Sequence, residues 1–458
     1  MDGQKRMILF DNLWSVMWKL SWPAVLAMIF YGLNMVVDAV FVGKYVGEDA
    51  LAGVSIAYQL SSLSLGLGSL VGVGAGSLLG ISLGANDMQT QKRLLGNMNS
   101  LTLAVSVLFT AVGLAFAVPL VKMMGGSGEA LTLGAAYFRI TMIGSVLWIY
   151  GLAANMVVRA EGRMKSAAFM MGLGLLVNIL FSYVFIVRLQ AGVEGAAWAT
   201  NIGMLVYTVM GLLYFRSGKV SFPAFPFSFR WERKMVRSIL SMGMPSLIMS
   251  VMTAIQAVIV FNVLSIYGTT FDIAFYGVVL RLFNFIMTPI FGLMRALQPV
   301  ISINYGAKRY DRVIRGFWIF AAASALLILP FWASAMIVPK AVLGLMFDAS
   351  SIDAASVANA QIFLSILPLL SIVFMALTLF PAIDHSKPAS LVGIVRQVVF
   401  YIPAMLILPR MFGVNWVYLN SMLIDLTIFI MTFILVGIEF RKLRGRSGSL
   451  REEEASTI

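Results

Sequence analysis

Long apolar runs, interrupted by short charged or Gly/Pro-rich breaks, follow one another from end to end of the chain. Each is about twenty residues or longer, the length an α-helix needs to cross a hydrocarbon core of about 30 Å. Taking the breaks as loops predicts twelve spans, at about 14–42, 51–80, 94–121, 130–158, 166–187, 195–215, 237–265, 273–302, 313–338, 354–382, 388–408 and 414–439. The longest polar stretch, RSGKVSFPAFPFSFRWERKMV over 216–236, follows the sixth span. The expected fold is therefore an all-α membrane protein of two six-helix lobes, 1–215 and 237–440. A cytoplasmic linker over 216–236 joins them, and a cytoplasmic tail over 441–458 ends the chain.

The two lobes repeat. Pro23 recurs as Pro245, Gly84-Ala85 as Gly306-Ala307 and Lys165 as Lys387, each 222 residues on, and Gly192-Val193 recurs as Gly413-Val414, 221 on. Six is an even number, so both lobes enter the membrane the same way and a pseudo-two-fold axis runs along the membrane normal. Two such bundles enclose a cleft.

Charge sets the orientation. Of the 33 Lys and Arg, only Lys44, Lys122, Arg188, Lys340 and Arg410 fall in the loops read as external, so both termini are expected in the cytoplasm. The net charge of +13 is then a topology signal, and no nucleic-acid partner is expected. The charged start MDGQKRMILFDN leads straight into a full span, so no cleaved signal peptide is expected. With no Cys and a single His, thiol catalysis, disulfides and His- or Cys-based zinc sites are excluded.

Within the first span, PAVLAMIFYGLNMVVDAVFVG, Asp38 is the exception. An acid at the centre of a membrane helix costs at least about 2.5–3.5 kcal/mol, so it should face protein or water and serve a purpose, such as binding a cation or a proton. Asn34, one turn earlier, continues a polar stripe. At 1.5 Å per residue, Asp38, Tyr137, Asn178, Ser182 and Thr200 all lie about 8 to 14 Å below the outer surface, on four different spans. A carboxylate with amide and hydroxyl oxygens is a hard ligand set, suited to Na+ or a proton. The second lobe lacks this set: the 222-residue offset places Val260, Phe400 and Ala404 opposite Asp38, Asn178 and Ser182, and Gln256 opposite Asn34.

Two six-helix halves, the pattern P-x(14)-D followed by FVG, LGISLGAND after the second span, N-x(3)-S in the fifth and WAT in the sixth resemble the multidrug and toxic compound extrusion (MATE) transporters over nearly the whole chain. The resemblance implies a V-shaped pair of bundles in a bacterial plasma membrane, acting as a monomer among membrane lipids. Alternating access would export amphipathic drugs, often organic cations, against Na+ or H+, with no cofactor. It makes Asp38 the coupling carboxylate, with Asn178, Thr200, Ser182 and Tyr137 around it and Asp38, Asn178 and Thr200 as Na+ ligands. Asn34, Tyr31, Asn155, Met204 and Gln256 are then expected to line the substrate cavity. Ser182 stands where many relatives carry a second acid, and Gln256 where other branches place one, which leaves a single coupling charge.

The other features have plainer readings. Arg396 and Asp425 are expected to form a structural intramembrane pair. Arg139, Arg281 and Arg295 are expected to snorkel near helix ends, and His385 to be a solvated turn residue. The stretch SLGLGSLVGVGAG over 64–76 looks like a nucleotide loop but has no strand before it, and close helix packing explains it. The 30 Met residues suit packing and a cavity for varied apolar ligands. A lipid-linked oligosaccharide flippase is the second transport reading and calls for a more cationic cleft. A membrane-embedded enzyme is disfavoured, because no nucleophile-base set or metal cluster is present.

Overall fold

The computed structural model describes residues 3–344 and 353–456. Helix α1 (Gly3–Phe10) precedes α2 (Leu13–Tyr45), the first span. Then come α3 (Glu48–Ser61) with α4 (Leu63–Ala85), α5 (Met88–Ala115) with α6 (Ala117–Met123), and α7 (Gly128–Ile143) with α8 (Ser145–Ala160). The first bundle closes with α9 (Met164–Ser182), a π-helical stretch Tyr183–Arg188, and α10 (Gly192–Arg216). The second holds α11 (Arg233–Tyr267), α12 (Thr270–Gly306), α13 (Tyr310–Ile337) with α14 (Pro339–Leu343), and α15 (Ala354–Ser365) with α16 (Leu367–Ala382). It ends with α17 (Lys387–Ile394), a π-helical stretch Val395–Tyr401, α18 (Ile402–Phe412) and α19 (Trp416–Ser456). Among the described residues 11 helices are long and apolar enough to cross a membrane, and the bent pair α7–α8 makes up to 12. The chain is an all-helical membrane protein.

Two elements differ from expectation. The fourth span breaks by 53° at Gly144, where the Asn201 side chain occupies the place a Cβ would take, 2.1 Å from Oδ1. At the break Ile140 O accepts from Gly144 N at a stretched 3.4 Å and also from Asn201 Nδ2 at 2.7 Å. The expected tail is helical, since α19 runs on through Arg441-Lys442-Leu443-Arg444, all strong helix formers. His385 lies at the PAIDHSKP turn with its side chain 40% exposed, and it also has a partner: its Nδ1 lies 3.0 Å from Glu439 Oε2 on α19.

The glycine-rich stretch does pack helices, and it joins the bundles. A Cβ on Gly74 of α4 would lie 1.9 Å from Ile239 O on α11, and one on Gly243 of α11 would lie 1.7 Å from Leu70 O. Only backbone without side chains approaches so closely. On the pseudo-two-fold axis the repeat partners Gly84 and Gly306 meet each other, and Gly80 meets Ser302, its own partner at the same offset. Gln298 Nε2 crosses the seam to Val73 O at 3.1 Å and Ser77 Oγ at 3.0 Å. Helix α1 lies across this end: Ile8 O accepts from Asn304 and Arg312, Leu9 O from Arg309, and Lys5 Nζ reaches Asn86 Oδ1 at 2.7 Å. The seam therefore closes the end of the molecule at which the chain begins.

The segment between α10 and α11 is fastened to the first bundle. Asn97 Oδ1 accepts from Glu232 N at 2.6 Å, and Asn99 Nδ2 donates to Pro226 O and Ser228 O. Glu161, just past α8, accepts from Ser221 N and from Tyr214 Oη. Burial pushes the Glu161 carboxyl up to about 7, against the pull of those hydrogen bonds.

Candidate coupling site

Four helices of the first bundle bring the acid and its neighbours together. Thr200 on α10 is the hub: its Oγ1 lies 3.5 Å from Asp38 Oδ2, accepts from Asn178 Nδ2 at 3.3 Å, and lies 3.0 Å from Ala196 O one turn earlier. A hydroxyl has one proton, so Thr200 can serve Asp38 or Ala196 O but not both at once. Asn178 also donates to the Asp38 carboxylate, and the Tyr137 hydroxyl bonds to Thr200. At 3.5 Å the Thr200 contact is at the outer limit of a hydrogen bond, so the carboxylate is loosely held.

Asp38 Oδ1 is shut off from solvent and has no hydrogen-bond partner among the described residues, and the same holds for Ser182 Oγ, one turn beyond Asn178. A buried carboxylate oxygen left without a donor is costly, and a cation or a proton relieves the cost. The set matches a hard monovalent ion: one carboxylate with neutral oxygens of Asn178, Thr200 and Ser182. It does not match a multi-acid metal centre, and among the described residues no group of three or more His, Cys, Asp or Glu is placed to hold a metal ion.

Tyr31 and Met204 sit beside this set. With Asn178, Thr200, Trp148, Met171 and Tyr207 they line a cavity of about 50 Å³ inside the first bundle. That volume admits a few water-sized species and no drug. Tyr58 on α3 was missed by the depth count: its hydroxyl lies 3.3 Å from that of Tyr31, and it feels the charge of Asp38. Its position seven residues into the expected second span, about 10 Å deep and within the band that holds Asp38, was a legible signal. The Asn34 side chain lies outside the described residues.

Two expected cavity residues are hydrogen-bonded into other networks. Asn155 is 1% exposed, with Nδ2 donating to Ala167 O at 2.9 Å and Oδ1 accepting from Arg159 Nε at 2.7 Å, so it ties α8 to α9. Gln256 belongs to a second polar cluster, where Arg396 donates from Nη1 to Gln256 Oε1 at 3.0 Å and from Nε to Asp425 Oδ1 at 2.8 Å. Arg396 sits in the π-helical stretch of the eleventh span, and the Tyr401 ring lies 5.7 Å from its guanidinium. An internal arginine thus satisfies the acid of this bundle. Arg295 does not snorkel: it sits eleven residues inside α12, with Nη1 3.7 Å from Met156 Sδ across the seam.

The MatE family profile matches residues 23–184 and again 245–407, one copy in each bundle, in the register of the internal repeat. The chain belongs to the MATE family. Its relatives include a probable multidrug resistance protein, YoeA, of Bacillus subtilis, 24% identical over 67% of this chain and 69% of the relative. The multidrug export protein MepA of Staphylococcus aureus is 22% identical over 87% of each chain. A MATE crystal structure in a bent conformation superposes with a TM-score of 0.90 over 98% of this chain and 100% of that one, at 22% identity. Membership places the chain among transporters and not among enzymes.

Proposed function

We propose that this MATE protein exports amphipathic organic compounds, many of them cations, across a bacterial plasma membrane in exchange for Na+ or H+. The observation that carries this reading is the lone, loosely held Asp38 carboxylate among hydroxyl and amide oxygens, with Oδ1 inaccessible and without a donor among the described residues. The names of the relatives, multidrug resistance and export proteins, support it.

The seam supports alternating access, as the closed one of two gates. Val25 packs on Gly292 within the closed end, and Asp38 lies thirteen residues further along α2, about 20 Å toward the opposite end. With both termini cytoplasmic, the seam closes the cytoplasmic side and Asp38 takes its ion from outside. One charge in a dry site is occupied by one cation at a time, so ion and cationic substrate compete, and exchange is a consequence of linkage. The test is efflux of a fluorescent cation from cells stripped of other pumps, with Na+ and pH gradients imposed separately. Asp38→Asn should abolish efflux under both; near wild-type efflux would refute the assignment.

A second reading, the lipid-linked oligosaccharide flippase, calls for a cationic cleft. Arg159 and Arg295 at the seam are the observation in its favour.

A further inference from the structure

Arg159 and Arg295 meet across the seam with no acid between them. Arg159, near the end of α8, is 3% exposed; Nε donates to Asn155 Oδ1 and Nη2 points at Met171 Sδ, 3.3 Å away. Arg295, from the other bundle, points at Met156 Sδ, and Met156 precedes Arg159 by three residues, on the same face of α8. Each guanidinium lies in the field of the other, and Tyr207 of α10 lies in the field of both. The Tyr207 hydroxyl is buried and has no hydrogen-bond partner among the described residues.

A thioether is a weak acceptor, so most of the donor capacity of both arginines is unused. The contrast with Arg396 is informative. There the fold supplies Asp425 and Gln256 to one buried arginine. Here it supplies two arginines and a hydroxyl with no described partner, and none of the described ion pairs, which include those of Asp11, Glu232, Glu439 and Asp425, involves either arginine. Arg159 is buried and Arg295 partly buried; like charges drawn together out of water without a counterion are unfavourable, and an oxyanion with several acceptor oxygens answers all three donor groups.

We infer that Arg159, Arg295 and the Tyr207 hydroxyl form a binding site for the oxyanion headgroup of an amphiphile, a phosphate monoester being the best match. The site takes one arginine from each bundle, so it is assembled when the seam is closed, and its ligand favours that state. Tyr207 and Met171 also end the small cavity that begins at Asn178 and Thr200, so sites of opposite sign lie at its two ends. The inference rests on the transporter reading only in taking the ligand to be the transported amphiphile.

The test is binding to the purified full chain in a neutral maltoside detergent. The probes are dodecyl phosphate, inorganic phosphate, and dodecyltrimethylammonium as the cationic match. Arg159→Gln and Arg295→Gln should each weaken dodecyl phosphate binding by roughly tenfold or more, as expected for loss of a charge-assisted pair, and leave the cationic amphiphile unchanged. Arg295→Lys should retain part of the affinity, because charge survives and the planar fork does not, and this also controls for folding. Tighter binding of dodecyl phosphate than of inorganic phosphate assigns an amphiphile headgroup; equal binding assigns a free anion at the same site. Unchanged phosphate affinity in both Gln variants, or equal loss for the cationic probe, overturns the site. Asp38→Asn should keep phosphate binding, so a failure of the coupling assignment and a failure of this one give different results.

Discussion

Replacing Asp425 by Asn should destabilise the second bundle by about 3 kcal/mol. Asp425 is 8% exposed and Arg396 29%, so the pair is largely withdrawn from water. Removing one member of such a pair leaves the other charge uncompensated, at about 3–5 kcal/mol. The low end applies, because Arg396 keeps Gln256 at 3.0 Å and the face of Tyr401 at 5.7 Å. The exposed pair Arg93–Glu232, at 45% and 37% exposure, is the internal comparison, and its loss through Arg93→Gln should cost less than about 1 kcal/mol. Replacing both partners, Arg396→Leu with Asp425→Leu, should recover most of the stability, since no charge is then stranded. The assay is denaturant unfolding of the purified protein in mixed micelles, run as a double-mutant cycle. An Asp425→Asn cost no larger than that of Arg93→Gln, or a double variant as unstable as the single, would refute the structural reading of this pair.

Two further outcomes follow from the seam and the linker. Gly243→Ala puts a Cβ 1.7 Å from Leu70 O, so the bundles must part by roughly 1.5 Å to restore ordinary contact. Cross-linking between Ser77→Cys and Gln298→Cys, in a chain with no natural cysteine, should drop sharply, and undiminished cross-linking would contradict the seam. Glu161 has its carboxyl raised from 4.5 to about 7 by burial, so the folded state holds its proton more tightly than the unfolded state. Its contribution is therefore full below pH 4.5 and lost as pH rises through about 7, a change on the order of 3 kcal/mol. Thermal stability should fall across that window in the wild type and stay flatter in Glu161→Gln, and parallel curves would contradict it.

The spans were legible because bilayer thickness imposes a length on every apolar run, and the 222-residue repeat because Pro23/Pro245 and Gly84/Gly306 carry geometry that other residues do not. Asp38 was legible for the opposite reason, as a charge in a segment that should have none. Its partners Asn178, Thr200 and Tyr137 followed from counting depth, and Tyr58 would have followed had the second span been counted too. Asn155 was not, since a polar residue on a membrane helix reads alike whether it lines a cavity or ties α8 to α9. Arg295 was misread because its distance from the end of α12 says nothing about which helix it meets. The 53° bend at Gly144 packs against Asn201, fifty-seven residues away, a contact that no local pattern announces.

The most direct test of the coupling site is protection of the purified protein by Na+ across pH, in wild type and Asp38→Asn. A single carboxylate shared by Na+ and the proton requires that Na+ raise the thermal stability of the wild type, that this effect fade as falling pH protonates Asp38, and that it vanish in Asp38→Asn. If Na+ has no effect on either protein, the proton alone is left as the coupling ion. Equal protection of both by Na+ would contradict Asp38 as the site.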